Sequence, residues 1–125
     1  MEPLIRKEAE DTPGVSFNAD EGVLELSGKS LPEDVKEFYN PVLEWIDNYS
    51  KNPKSKTTVN FRMKYFNTAS SKMILDLIDK IVTNIQESKN ELEINWYYIE
   101  ADEEMGEAGE DLADMVEFPF NIIPL

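Results

Sequence analysis

Cysteine and histidine are both absent from these 125 residues. Without cysteine there is no disulfide, no thiolate metal site and no thiol nucleophile. Without histidine the chain lacks the commonest general base near neutral pH and the commonest transition-metal ligand. Bases are scarce as well: 12 Lys and Arg face 26 Asp and Glu, giving a formal charge of −14 and a pI near 4.3. So acidic a chain repels the phosphates of nucleic acid and the headgroups of anionic membranes. No run approaches the roughly 18 apolar residues of a membrane span. The opening MEPLIRKEAED carries no apolar stretch of the kind that marks a secretory signal. These absences predict a cytoplasmic protein with no nucleic-acid or membrane partner, no metal, no cofactor and no catalytic residue of its own.

What is present favours one folded domain over residues 1–125. Apolar residues make up 41% and aromatics 10%, too rich for a disordered acidic tail. A chain of this length can bury roughly two thirds of its unfolded surface. Leu4–Ala9 reads as a short edge strand, and Thr12-Pro13-Gly14 as a turn. Val15–Asn18 and Val23–Ser27 read as a hairpin around the four-residue loop Ala19–Gly22. Ser30 and Glu33, at capping-box spacing around Pro32, predict the start of a first helix. Its apolar stripe is Val35, Phe38, Tyr39, Val42, Ile46 and Tyr49, with Pro41 predicting a kink or break near Asn40.

Thr57–Phe66 alternates, with Val59, Phe61, Met63 and Tyr65 on one face and Asn60, Arg62 and Lys64 on the other. A strongly apolar helix is expected from about Met73 to Gln86, its stripe formed by Ile74, Ile78, Ile81 and Ile85. Leu92–Ile99 reads as a second long strand with Leu92, Ile94, Trp96 and Tyr98 together. Glu104–Met115 reads as an acidic helix with Met105, Leu112 and Met115 inward. Phe118–Ile123 should dock on the core. The order β-β-β-α-β-α-β-α predicts an α/β, α+β-like mixed sheet of four to five strands with helices packed on one side.

Charge is distributed unevenly. No acid lies between Asp47 and Asp76, yet six of the 12 bases do: Lys51, Lys54, Lys56, Arg62, Lys64 and Lys72. Glu100–Glu117 carries nine acids and no base. The acid-free window encloses Phe66-Asn67-Thr68-Ala69-Ser70-Ser71-Lys72 at a strand-to-helix junction. Capping explains part of that composition, since Asn67 or Thr68 can satisfy the first free N–H groups of a helix. The same free N–H groups and partial positive charge also stabilise an anion. A phosphoryl group on Thr68 or Ser70 would bring about −1.5 to −2 charge to that end, with Lys64 and Lys72 at hand.

Other constellations are weaker. Ser70-Ser71-Lys72 lacks the Ser-x-x-Lys spacing of a serine hydrolase. Asp102-Glu103-Glu104, Glu107, Glu110 and Asp111 lack the alternating ligands and central glycine of a calcium loop. In the cluster Trp96-Tyr97-Tyr98, Trp96 and Tyr98 at least read as core rather than as a stacking platform for single-stranded nucleic acid.

Several strings together resemble the SiaC family of bacterial regulatory phosphoproteins. They are Gly28–Glu33, Phe38-Tyr39-Asn40-Pro41 with Trp45, Tyr65–Lys72, Trp96-Tyr97-Tyr98 and Gly109-Glu110-Asp111. The resemblance implies a fold like that of STAS-type anti-sigma-factor antagonists. It implies that Thr68 is the phosphoacceptor and that Tyr65, Phe66, Asn67, Ser70, Ser71 and Lys72 form the motif and partner-binding surface. It further implies partner switching: a Ser/Thr kinase of histidine-kinase-like ATPase fold adds the phosphate and a PP2C-type phosphatase removes it. The unmodified protein would bind an output protein such as a diguanylate cyclase. Ala69 stands where a serine is common in the motif. The alternative is a constitutive module that grips a basic partner through Glu100–Glu117, with Thr68 only a helix cap.

Overall fold

The computed structural model describes residues 1–125. Six strands form one sheet whose spatial order follows the chain: β1 (Leu4–Arg6), β2 (Gly14–Asn18), β3 (Val23–Ser30), β4 (Lys56–Phe66), β5 (Glu91–Tyr98) and β6 (Asn121–Pro124). β1, β2 and β3 pair antiparallel, whereas β3 to β6 run parallel. Each parallel step needs a crossover, supplied by α1 (Val35–Tyr49), α2 (Thr68–Ser88) and α3 (Glu103–Val116). Successive right-handed crossovers between neighbouring strands put all three helices on one face. This is the mixed α/β class expected from the sequence, with one strand more. The apolar C-terminal segment does dock on the core, and Asn121–Pro124 there becomes the edge strand β6.

The core lies between sheet and helices. Val15, Phe17, Leu24, Leu26, Val59, Phe61, Met63, Ile94 and Trp96 come from the strands, and Ile74, Leu77, Ile78, Ile81 and Ile85 from α2. The other face of the sheet is wet and polar. Asn121 donates to Asn95 at 2.9 Å and Asn95 to Asn60 at 3.0 Å, linking three parallel strands. Arg62 pairs with Glu25 at 2.9 Å and lies 4.1 Å over the Tyr97 ring.

Four local expectations are corrected. Helix α1 does not open at Ser30–Glu33, because β3 runs through Ser30 and that side chain is buried. Asp34 is the cap instead, its Oδ1 accepting from the N–H of Glu37 at 3.1 Å. Pro41 neither kinks α1 into two helices nor ends it. Its missing N–H would have served the carbonyl of Glu37, and both residues are exposed, so the lost bond lies on the solvent side. Helix α2 begins at Thr68 rather than near Met73, so the polar motif forms its first turn.

Tyr65 does not continue the buried face of β4. The register skips a residue here: Gly28 aligns with Met63 and Lys29 with Tyr65, leaving Lys64 as the extra residue. An inserted residue reverses the alternation. Tyr65 therefore turns out, 51% exposed, and Phe66 turns in, 6.2 Å edge-to-face from Trp96. Gly28, at φ +89°, occupies the bulge on the facing strand, where a side chain would collide with Glu8.

Candidate functional site

The junction from β4 to α2 places the polar motif at the end of the sheet where β3 also stops. Asn67 is the cap of α2: its Oδ1 accepts from the N–H of Ser70 at 2.9 Å, and its carbonyl accepts from the N–H of Ser71 at 2.9 Å. Thr68 is thus the first helical residue and not the cap, which removes the capping role the sequence left open for it. The N–H groups of Thr68 and Ala69 have no acceptor within the helix, as helix geometry requires. Both residues are exposed.

The motif hydroxyls divide sharply. Ser70 is fully buried and accepts from Ser30 Oγ at 2.8 Å, so its hydroxyl does not reach solvent in this structure. Ser71 is half-buried and its Oγ donates to the carbonyl of Thr68 at 2.8 Å. Among the threonine and serine hydroxyls of the motif, only that of Thr68 is exposed and uncommitted. Tyr65 and Lys72 are exposed beside it, and Phe66 and Asn67 are half-buried.

The electrostatic expectation changes in detail. The acid-free window of the sequence is not acid-free in space. Lys56 pairs with Glu93, Arg62 with Glu25, and Lys64 with Glu8 at 3.6 Å. Lys64 is therefore committed elsewhere, and Lys72 remains as the motif's unpaired cation. The first turn of α2 contains no acid, whereas α1 has Glu37 there and α3 has Glu103 and Glu104.

Sequence reasoning missed the second wall of the site. A groove of about 200 Å³ runs between α2 and α3, lined by Phe66, Leu75, Ala108, Leu112 and Met115, with Ser71 and Lys72 on one lip and Asp111 on the other. Met115 was expected inward but is 62% exposed. Met105 and Leu112 are buried as expected, and Gly109 and Val116 complete the stripe in place of Met115. Helical spacing alone would have revealed that stripe, had Gly109 been admitted to it. No three acidic side chains are grouped to hold a metal, and no helix is long and apolar enough to cross a membrane.

The model of the SiaC family regulatory phosphoproteins matches residues 6–125. The chain belongs to that family. An uncharacterized protein of Pseudomonas aeruginosa (strain UCBPP-PA14) is 25% identical over 113 residues, covering 90% of this chain and 89% of that one. The structure of SiaC of Pseudomonas aeruginosa superposes with a TM-score of 0.88 at 23% identity, covering 100% of both chains. SiaC also occurs in a crystal structure of the diguanylate cyclase SiaD in complex with its activator SiaC. The match there has a TM-score of 0.89 at 24% identity, covering 98% of this chain and 99% of that chain. These structural likenesses establish a shared SiaC fold, including the six-stranded mixed sheet and the three helices.

Proposed function

We propose that this SiaC-family chain is a non-enzymatic phosphoswitch whose acceptor is Thr68. A Ser/Thr kinase of histidine-kinase-like ATPase fold loads the phosphate and a PP2C-type phosphatase removes it. The observation that carries this reading is the solitary position of the Thr68 hydroxyl, exposed at the first residue of a 21-residue helix with no acid in its first turn. A phosphate there meets the free N–H groups of Thr68 and Ala69, the helix dipole and Lys72. Elsewhere the −14 charge of the chain opposes it.

The unmodified form binds an output protein, for which a diguanylate cyclase is the leading candidate because a protein of the same fold activates one. The docking surface is Tyr65, Thr68, Lys72 and the apolar groove between α2 and α3. A dianion at Thr68 must be desolvated or displaced before an apolar partner can seat beside it. A tenfold loss of affinity requires only about 1.4 kcal/mol.

The test is phosphorylation by the kinase of the same system with ATP, mapped by mass spectrometry, followed by calorimetric titration of the output protein. Phosphate should appear on Thr68, vanish in Thr68→Ala, and weaken output binding at least tenfold. Phosphate found only elsewhere sinks the assignment. Output binding that is indifferent to phosphate at Thr68 leaves the constitutive acidic module in its place.

A further inference from the structure

Behind the exposed threonine lies a chain of three buried hydroxyls. Tyr39 and Ser30 are 2.6 Å apart, and Ser30 donates to Ser70 at 2.8 Å. All three residues are fully buried. Ser30 has one proton and gives it to Ser70, so the Tyr39 phenol, which burial pushes up to about 12 and keeps protonated, is left to donate to Ser30. The order of donation is then Tyr39 to Ser30 to Ser70. Ser30 has a second hold: its carbonyl accepts from the N–H of Asn67 at 3.1 Å. One residue at the end of β3 thus grips the chain on both sides of Thr68, at Asn67 and at Ser70. Tyr39 in α1 braces that residue from behind.

From this geometry we infer that Ser30, Tyr39 and Ser70 are positioning residues for phosphoryl transfer at Thr68. The inference rests on the phosphoswitch reading given above. In the transfer the Thr68 oxygen attacks the terminal phosphorus of ATP and ADP leaves with the electrons of the broken P–O bond. The hydroxyl proton passes to a base on the kinase. Such a reaction depends on holding the acceptor in line, and a displacement of about 1 Å can cost on the order of a hundredfold in rate. Thr68 and Ala69 form a two-residue arch over the clamp, so slack at Ser70 becomes displacement at Thr68.

The fold contains its own control. Tyr49, at the far end of α1, makes a comparable buried hydroxyl pair with Thr57 at 2.8 Å. Tyr39→Phe and Tyr49→Phe are the same chemical change on the same helix, one beside the clamp and one remote from it. Steady-state phosphorylation should show kcat reduced at least tenfold in Ser70→Ala and about threefold in Tyr39→Phe. KM should stay within threefold of wild type in both. Tyr49→Phe should keep the wild-type kcat even where its melting temperature falls as far. Amide exchange at Asn67 and Ser71 should quicken in Ser70→Ala and not in Tyr49→Phe. Wild-type protein modified at Thr68, with both clamp variants turning over at the wild-type kcat, overturns the positioning role and leaves the switch standing. Wild-type protein left unmodified at Thr68 overturns the switch, and the inference with it. Equal losses of kcat in Tyr39→Phe and Tyr49→Phe reduce the effect to general stability and also overturn it.

Discussion

At the start of α3, Asp102 accepts from the N–H of Met105 at 3.2 Å, and Glu103 and Glu104 follow it in the first turn. At the start of α2, neutral Asn67 does the capping and no acid follows. Both ends expose free N–H groups and partial positive charge. In α3 that charge is already compensated by the helix itself, whereas in α2 it is left uncompensated in a chain with 26 acids to spend. The two helices also differ in how they are seated. α2 buries seven side chains, five of them Ile or Leu at helical spacing. α3 has its backbone pressed against aromatic rings, with Trp96 Nε1 donating to the carbonyl of Met105 at 2.9 Å. α2 is thus fastened by its flank and its charge is free, while α3 is charge-satisfied and fastened by close approach.

The largest expected effect tests the seating of α3. A Cβ on Gly109 would lie 2.5 Å from Trp96 Cδ1, and Trp96 is itself fully buried and unable to retreat. Gly109→Ala should therefore destabilise the protein by about 3 kcal/mol, the upper end of ordinary overpacking. The midpoint of urea unfolding measures this. Gly106→Ala meets only the half-buried Tyr98 ring and should cost less. A neutral Gly109→Ala would mean that α3 is not held by close approach.

The same contrast explains what could be read in the sequence and what could not. Apolar side chains at regular spacing announce themselves, so the buried faces of α2 and of β4 up to Met63 were legible. Glycine has no side chain to count, so the contact face of α3 was seen only in part: Met105 and Leu112 were placed inward correctly, Gly109 was missed, and Met115 was assigned inward in place of Val116. The bulge at Lys64 is a property of paired strands, invisible in either strand alone, and it exchanged the places of Tyr65 and Phe66. β6 is four residues long, too short for a periodic signal. At the candidate site, the polar composition and capping potential of Asn67–Lys72 were legible, although the apolar stripe put the helix start too late, near Met73. Which hydroxyl faces solvent was not, because the burial of Ser70 depends on Ser30, 40 residues away, and on Tyr39.

A smaller effect probes the α2 side alone. The folded-state pKa of Tyr39 is raised from 10 to about 12, chiefly by burial. A raised pKa means the folded state holds its proton more tightly. The corresponding stability is complete below pH 10 and is lost as pH climbs from 10 to 12. At about 1.4 kcal/mol per unit, the loss is of the order of 2–3 kcal/mol. Tyr39→Phe should remove this alkaline arm. The difference in urea midpoint between wild type and variant should change between pH 9 and pH 12, with wild type losing more. Parallel pH profiles would show that the Tyr39 phenol ionises with equal ease in both states and would overturn this account of its burial.

The smallest effect reads the difference between the two helix starts most directly. Ala69 is exposed in the uncompensated turn of α2, and a carboxylate there should stabilise the unmodified protein by about 0.3–1 kcal/mol. Glu103→Gln in α3 should lose an amount of that same order, since it removes charge already in place. Both shifts should shrink in high salt, which screens exposed charges. Phosphate on Thr68 should reverse the first result, because a carboxylate at position 69 then adjoins a dianion. Ala69→Glu should stabilise the unmodified protein and become neutral or destabilising in the phosphorylated one, while Glu103→Gln keeps one sign in both. Melting temperatures of wild type and the two variants, each with and without phosphate, in low and high salt supply the comparison. If Ala69→Glu stabilises equally with and without phosphate, the modified group does not reside at the N-terminus of α2. If it fails to stabilise the unmodified protein, the positive end of α2 is already satisfied and the contrast with α3 disappears.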